Sequence, residues 1–141
     1  HFLNDAGGSI CELDDAGMLE VLAKHTLILY LRAGDDMEQE LIRRAVEKPK
    51  PLYYREDFLE ARLAAYLAET GCTSAGQIDP DSFVTWIFPH LVQHRRPRYT
   101  AIAEQYGYTV NARDINTLRD EADFLELVAA AIRQRSTSGI G

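Results

Sequence analysis

His25-Thr26-Leu27-Ile28-Leu29-Tyr30-Leu31-Arg32 is a mostly apolar run with the length of one β-strand. Its uninterrupted apolar character is typical of a strand buried on both faces of a parallel sheet, because a half-exposed strand would alternate with polar residues. Before it, residues 11–24 space their apolar side chains for one helical face, with Asp14 and Asp15 as candidate caps. The run therefore predicts the second strand of a βαβ unit.

The first strand of that unit is predicted in residues 2–10, Phe2-Leu3-Asn4-Asp5-Ala6-Gly7-Gly8-Ser9-Ile10. A strand that enters a glycine-rich turn before a helix exposes backbone N–H groups that suit an anion. Gly7, Gly8 and Ser9 are therefore candidates for binding substrate, and Asp5 for holding a substrate hydroxyl or a magnesium-bound water. A plain turn with Asp5 as a cap is the alternative. Only His1 precedes this strand, which favours a fragment or a truncated relative.

The rest of the chain predicts a single α/β domain over residues 1–135 with a flexible tail at 136–141. Residues 1–54 would form strand, loop, helix, strand and lid, and residues 55–94 a helical insertion that Pro89 kinks or restarts. Residues 95–135 would add a helix, a third strand at 108–111 and a last helix at 115–133.

Composition narrows the function classes for this chain of 141 residues, of which 46% are hydrophobic. A net charge of −7 argues against nucleic acid as a partner, because binding phosphate backbones needs a positive field. No apolar run approaches the roughly 20 residues of a membrane span, so we expect a cytoplasmic protein without membrane contact. Cys11 and Cys72 lack metal or disulfide spacing and are expected to be reduced thiols. His90 and His94 lack a third ligand, so no metal site is expected.

Two basic segments are candidate anion sites. Arg43, Arg44, Lys48 and Lys50 surround prolines and could close over phosphates as a mobile lid, or could simply offset the dipole at a helix C-terminus. Arg95, Arg96 and Arg98 are the densest basic patch in the chain. Three guanidinium groups so close repel one another unless an anion or carboxylates neutralise them, and this favours binding of phosphate or carboxylate.

The order of these motifs resembles the carboxyl half of a P-loop small-molecule kinase of the shikimate kinase or gluconate kinase type. Four features carry the resemblance: Ala6-Gly7-Gly8-Ser9 at the acceptor turn, residues 25–33 as the following strand, residues 43–52 as the basic lid, and Arg95-Arg96-Pro97-Arg98-Tyr99 before the last strand. The phosphate loop G-x-x-x-x-G-K-[ST] is absent, because the chain contains no Gly-Lys pair. Lys50 stands where the family has a lid arginine, and residues 55–94 exceed the family's usual connection.

The resemblance implies a partial P-loop kinase-like parallel sheet with a predominantly helical insertion. It implies catalytic roles for Asp5 and Lys50, and substrate binding by the turn at Gly7, Gly8 and Ser9 together with Arg95 and Arg98. Cofactor binding would fall to Arg43, Arg44 and Asn111. ATP and Mg²⁺ would be cofactors of the complete protein, and neither is expected to bind tightly to this chain alone.

Two functions remain open. The chain could be the acceptor-binding and lid portion of an ATP-dependent small-molecule phosphotransferase or ATPase, inactive alone, with a phosphate-bearing small molecule as its ligand. Alternatively, it could be a non-catalytic anion- or protein-binding regulatory domain. A partial sheet would leave an exposed edge, so we also expect a homodimer through that edge.

Overall fold

The structure is a computed structural model and describes residues 2–139. It is a mixed α/β fold in which 69% of these residues are helical. The helices are α1 (Ala16–His25), α2 (Asp35–Glu47), α3 (Glu56–Thr70), α4 (Pro80–Tyr106), α5 (Ala112–Ile115) and α6 (Glu121–Ser138), with short 3₁₀ helices at Gly8–Glu12 and Ala75–Gln77. The strands are β1 (Ile28–Arg32) and β2 (Gly107–Asn111). No helix in residues 2–139 combines the length and apolar character that crossing a membrane requires.

β1 and β2 pair in parallel, with Ile28 opposite Gly107 and Arg32 opposite Asn111. The two strands predicted at residues 25–32 and 108–111 are confirmed, but the first begins three residues later than predicted because α1 continues to His25. The backbones of the two strands approach each other so closely at position 107 that glycine is required there. A Cβ at this position would lie 2.5 Å from the Ile28 carbonyl oxygen. Within residues 2–139 the sheet has these two strands, so each keeps one edge without a strand partner. The homodimer through such an edge stays a prediction.

The predicted strand at residues 2–10 is wrong, because this segment is irregular up to Gly7 and continues as the first 3₁₀ helix. The Gly7 N–H donates to Asp5 Oδ1 at 2.8 Å, which turns the chain locally. Phe2 and Leu3 are almost fully exposed. A strand needs a neighbour for its backbone groups, and no other strand of the described chain lies beside this segment.

β1 is less buried than its apolar run predicts. Leu31 is 48% exposed. α4 packs against both strands, whereas α6 packs against β2. The ring of Tyr30 stacks on Tyr99 of α4 with 5.4 Å between centroids. The apolar run therefore predicted a strand correctly, but the helices bury less of this strand than the run predicts.

α4 is a single helix of 27 residues that contains Pro97 and also Pro89, where the sequence predicts a kink or restart. An interior proline costs about 3 kcal/mol. Ile87 and Leu91, on either side of Pro89, are almost completely buried. They form the main core cluster with Phe58 of α3. Packing of these side chains outweighs the local preference to end the helix.

The last helix also differs from its predicted bounds of 115–133. Asp120 caps α6 by accepting the Asp123 N–H at 2.9 Å, so the long helix begins at Glu121. It continues through Ser138, so residues 136–138, which the sequence assigns to a flexible tail, extend this helix. Ile140 and Gly141, the end of that predicted tail, lie outside the described residues.

Candidate functional site: a cationic groove

A surface groove of about 510 Å³ lies between the C-terminal end of α2 and the N-terminal half of α4. We call it the cationic groove. Its lining consists of the basic residues of the predicted lid, one acidic residue and four apolar residues: Arg43, Arg44, Lys48, Lys50, Glu47, Ala45, Leu52, Val84 and Phe88.

The local sequence explains why basic residues gather here. α2 carries Asp35, Asp36 and Glu38 in its first turn and ends at Glu47, with Lys48 as its C-cap. Pro49 and Pro51 follow and cannot continue the helix, so the chain leaves α2 with Lys48 and Lys50 close to its C-terminus. Positive charge at this end also offsets the negative end of the helix dipole.

The two arginines of the groove are held by acidic residues of their own helix. Arg43 Nη2 lies 2.7 Å from Glu40 Oε1, and Arg44 Nε lies 2.9 Å from the same oxygen. Arg43 also pairs with Glu47. Hydrogen bonds from Arg43 and then Arg44 lower the pKa of the Glu40 carboxyl to about 2. These guanidinium groups are therefore oriented but largely neutralised.

The two lysines differ from the arginines. Within residues 2–139, Lys48 and Lys50 form no ion pair, and both side chains are exposed. An ammonium group has three donors and is a strong point charge for phosphate oxygens. The groove therefore presents two uncompensated cations beside apolar surface.

The second basic segment, at residues 95–98, has the opposite arrangement. Arg95 Nε binds Glu12 Oε1 at 2.9 Å, and the two side chains are 12% and 3% exposed. Arg95 Nη2 also donates to the Tyr53 carbonyl at 2.8 Å. Arg96 pairs with Glu38. The guanidinium groups that the sequence favoured for an external anion are thus neutralised from within the chain.

Arg98 and Tyr99 complete this contact and hold the N-terminal segment against α4. Arg98 donates to the Cys11 carbonyl at 2.9 Å and to Asp14 at 2.8 Å. The Tyr99 hydroxyl donates to the Gly8 carbonyl at 2.6 Å. Burial raises the pKa of the Cys11 thiol and of the Tyr99 hydroxyl. Both groups therefore stay protonated to a higher pH than an exposed thiol or phenol would.

Gly8 is the member of the predicted acceptor turn that the structure brings to the arginines. A Cβ at Gly8 would lie 2.7 Å from Arg95 Nη1. The Gly7 N–H, expected to be free for an anion, is bound to Asp5. Ser9 is exposed in the first 3₁₀ helix. The contacts of Gly8 with Arg95 and Tyr99 are therefore structural contacts within the chain. The Gly7 N–H already donates a hydrogen bond to Asp5 and is not free to bind an anion.

The remaining predicted site residues lie apart from the cationic groove. Asp5 is exposed in its own turn. Asn111 ends β2 and caps α5, where its side chain accepts the Arg113 N–H at 3.0 Å. Of the predicted set, Arg43, Arg44 and Lys50 are brought together by the groove.

His90 and His94 contact aromatic rings. His90 lies 4.5 Å from Trp86 between ring centroids, and His94 lies 4.6 Å from Phe58. Within residues 2–139, no three His, Cys, Asp or Glu side chains are grouped in a way that could hold a metal ion. His94 therefore belongs to the packing between α3 and α4, whereas His90 contacts a ring one turn away on its own helix.

Sequence reasoning missed Val84 and Phe88 of the groove and Glu12, the buried partner of Arg95. Val84 and Phe88 are four residues apart, which places them on one face of α4. That spacing is also present in the core residues Ile87 and Leu91, so spacing alone could not separate groove from core. Nothing local marks Glu12 as buried, because its partner lies 83 residues away.

Comparison with known proteins gives no relative from which a function could be transferred. The chain matches no model of a protein family. It has no significant match to a curated protein or to a solved structure. The resemblance to P-loop kinases therefore depends on four short motifs and their order.

Proposed function

We propose that this chain is the acceptor-binding and lid portion of an ATP-dependent small-molecule phosphotransferase or ATPase, and that the cationic groove binds the phosphate of its ligand. The observation that carries the proposal is the pair Lys48 and Lys50, which are exposed and form no ion pair with any residue from 2 to 139, in a chain of net charge −7. Cations near a transferring phosphoryl group stabilise the charge that develops on it.

Two further observations support this assignment. β1 and β2 are parallel neighbours, the arrangement that the kinase resemblance implies. Lys50 lies in the groove beside Arg43 and Arg44, so the lid segment identified from the sequence gathers around one space. The described residues offer cations for the phosphates of ATP but no cluster of ligands for Mg²⁺. We therefore propose no Mg²⁺ ligand among residues 2–139.

Calorimetric titration with inorganic phosphate and with ATP at low ionic strength tests the proposal. We expect the double variant Lys48→Met/Lys50→Met to bind phosphate at least about 10-fold more weakly, since each lost charge-assisted contact is worth about 1.5 kcal/mol or more. Lys24→Met is the matched control, because Lys24 is a lysine outside the groove. Equal affinity in the two variants would overturn the proposal.

A non-catalytic anion- or protein-binding regulatory domain is the second candidate. It is favoured by Arg95 and Arg98, because their engagement with Glu12 and Asp14 removes two residues expected to bind substrate. An assay of ATP hydrolysis by the full-length gene product separates the candidates. Turnover that depends on Lys50 supports the enzyme, whereas phosphate binding without turnover supports the regulatory domain.

A further inference from the structure

The cationic groove has an apolar side that phosphate binding does not use. Leu52 follows the two prolines, and Val84 and Phe88 lie one turn apart on α4. All three side chains are partly exposed. Leu52 also packs against the core cluster of Phe58, Ile87 and Leu91, which fixes this side of the groove in place.

A ligand that covers the apolar side chains of the groove would gain affinity, because it removes their surface from water. A bare phosphate would satisfy the lysines and leave Leu52, Val84 and Phe88 hydrated. The groove volume of about 510 Å³ falls in the range of small-molecule sites, roughly 300–1,000 Å³. The groove therefore has room for a ligand that carries both an anionic end and an apolar body.

The two sides of the groove come from different parts of the chain. Lys48 and Lys50 follow α2, whereas Val84 and Phe88 belong to residues 55–94, the predicted helical insertion. Charge complementarity places the anion at the lysines, and the apolar body then extends toward α4.

We propose that the groove binds a phosphate monoester of an apolar alcohol, with the phosphate at Lys48 and Lys50 and the apolar body against Leu52, Val84 and Phe88. This inference rests on the proposed function, because the same lysines bind the phosphate. It adds the chemical class of the acceptor or product and assigns the apolar part of recognition to α4.

Titration of the wild-type protein with methyl, butyl and hexyl phosphate tests the inference directly. Each methylene that leaves water strengthens binding about fourfold when fully buried. We expect hexyl phosphate to bind at least about 10-fold more tightly than methyl phosphate. Affinity that is independent of chain length, with methyl phosphate still bound through the lysines, overturns the inference and leaves the proposed function intact. Absence of binding by every phosphate overturns both.

A nearly isosteric variant locates the apolar contact. Val84→Thr adds a hydroxyl to the groove, and we expect it to reduce the hexyl-to-methyl affinity ratio several-fold while methyl phosphate binds as before. Val92→Thr makes the same change on α4 outside the groove and should leave the ratio unchanged. An equal loss of the ratio in both variants, or no loss in Val84→Thr, overturns the placement against α4.

A comparison of hexyl phosphate with two ligands of similar apolar size tests which anion the groove prefers. Hexanoate carries a carboxylate on a similar apolar body, and hexanol carries no charge. Tighter binding of hexyl phosphate than of either compound supports a phosphate ester. Hexanoate binding that equals or exceeds hexyl phosphate binding overturns the phosphate assignment.

Discussion

Basic residues cluster in the sequence both at residues 48–50 and at residues 95–98. In the structure, however, the two clusters differ in exposure and in their ion pairs. Arg95 lies against Glu12 and both side chains are almost entirely buried. Lys48 and Lys50 lie on the surface of the groove without ion pairs in the described chain. The denser patch is therefore the less available one. A cluster of basic residues indicates a binding site only when no acidic residue from elsewhere in the fold reaches it.

The largest expected effect concerns the stability contributed by Arg95. Arg95→Met leaves Glu12 as an unpaired buried carboxylate, and we expect a loss of about 3–5 kcal/mol in the free energy of unfolding. Lys50→Met, at an exposed position, should change it by less than about 0.5 kcal/mol. Urea unfolding at pH 7 measures both. Similar small losses in the two variants would contradict the contrast between the segments.

Arg98 should have an intermediate effect, because its side chain is 29% exposed. Its hydrogen bonds to the Cys11 carbonyl and Asp14 join α4 to the N-terminal segment. Arg98→Met is expected to lower the free energy of unfolding by about 1.5–3 kcal/mol, the usual value for hydrogen bonds from a charged donor. The same urea titration measures it. A loss larger than that of Arg95→Met would reverse the order that burial predicts.

Cys11 reports whether the N-terminal segment stays against α4. Cys11 is 2% exposed, whereas Cys72 is partly exposed. In the native protein at pH 8, iodoacetamide should modify Cys72 at least about 10-fold faster, because only an exposed thiolate reacts. Peptide mass spectrometry measures the two rates, and Arg98→Met should raise the rate at Cys11. Equal rates in the wild-type protein would show that the segment is open.

The Cys11 thiol is also expected to make the free energy of unfolding depend on pH. Burial raises the pKa of Cys11 above its ordinary value of 9.0. The folded state therefore favours the protonated thiol, and this contribution is fully present below pH 9 and is lost as the pH rises through the folded-state pKa. Urea unfolding at pH 7, 9 and 10 should show declining stability. Cys11→Ala should reduce the decline, while Cys72→Ala should not, and an identical decline in both variants would exclude Cys11 as a cause.

Among the three arginines of residues 95–98, the smallest effect is expected at Arg96, which is 48% exposed and pairs with Glu38. Exposed ion pairs contribute about 0–1 kcal/mol and are screened by salt. Arg96→Met should therefore cost less than about 1 kcal/mol, and 0.5 M NaCl should reduce the difference further. A loss of several kcal/mol that does not depend on salt would show that Arg96 stabilises the fold as strongly as Arg95 does.

The candidate site could be predicted only in part. The basic residues around Pro49 and Pro51 were evident, since a helix end followed by prolines is a local feature. The apolar side of the groove was not, because Val84 and Phe88 share their spacing with core residues of the same helix. The role of Arg95 was also not predictable, because the acidic residue that neutralises it is distant in sequence.

The sequence by itself determined the mixed α/β class and the two strands, predicted at residues 25–32 and 108–111 and observed at 28–32 and 107–111, because apolar runs and capping residues act over a few positions. Asp15 and Asp79 both cap helices through their own side chains. Only the tertiary structure decided that residues 2–10 form no strand, that α4 continues through two prolines, and which cations stay unpaired. These outcomes depend on neighbours distant in the chain, whose packing and charge outweigh local preference.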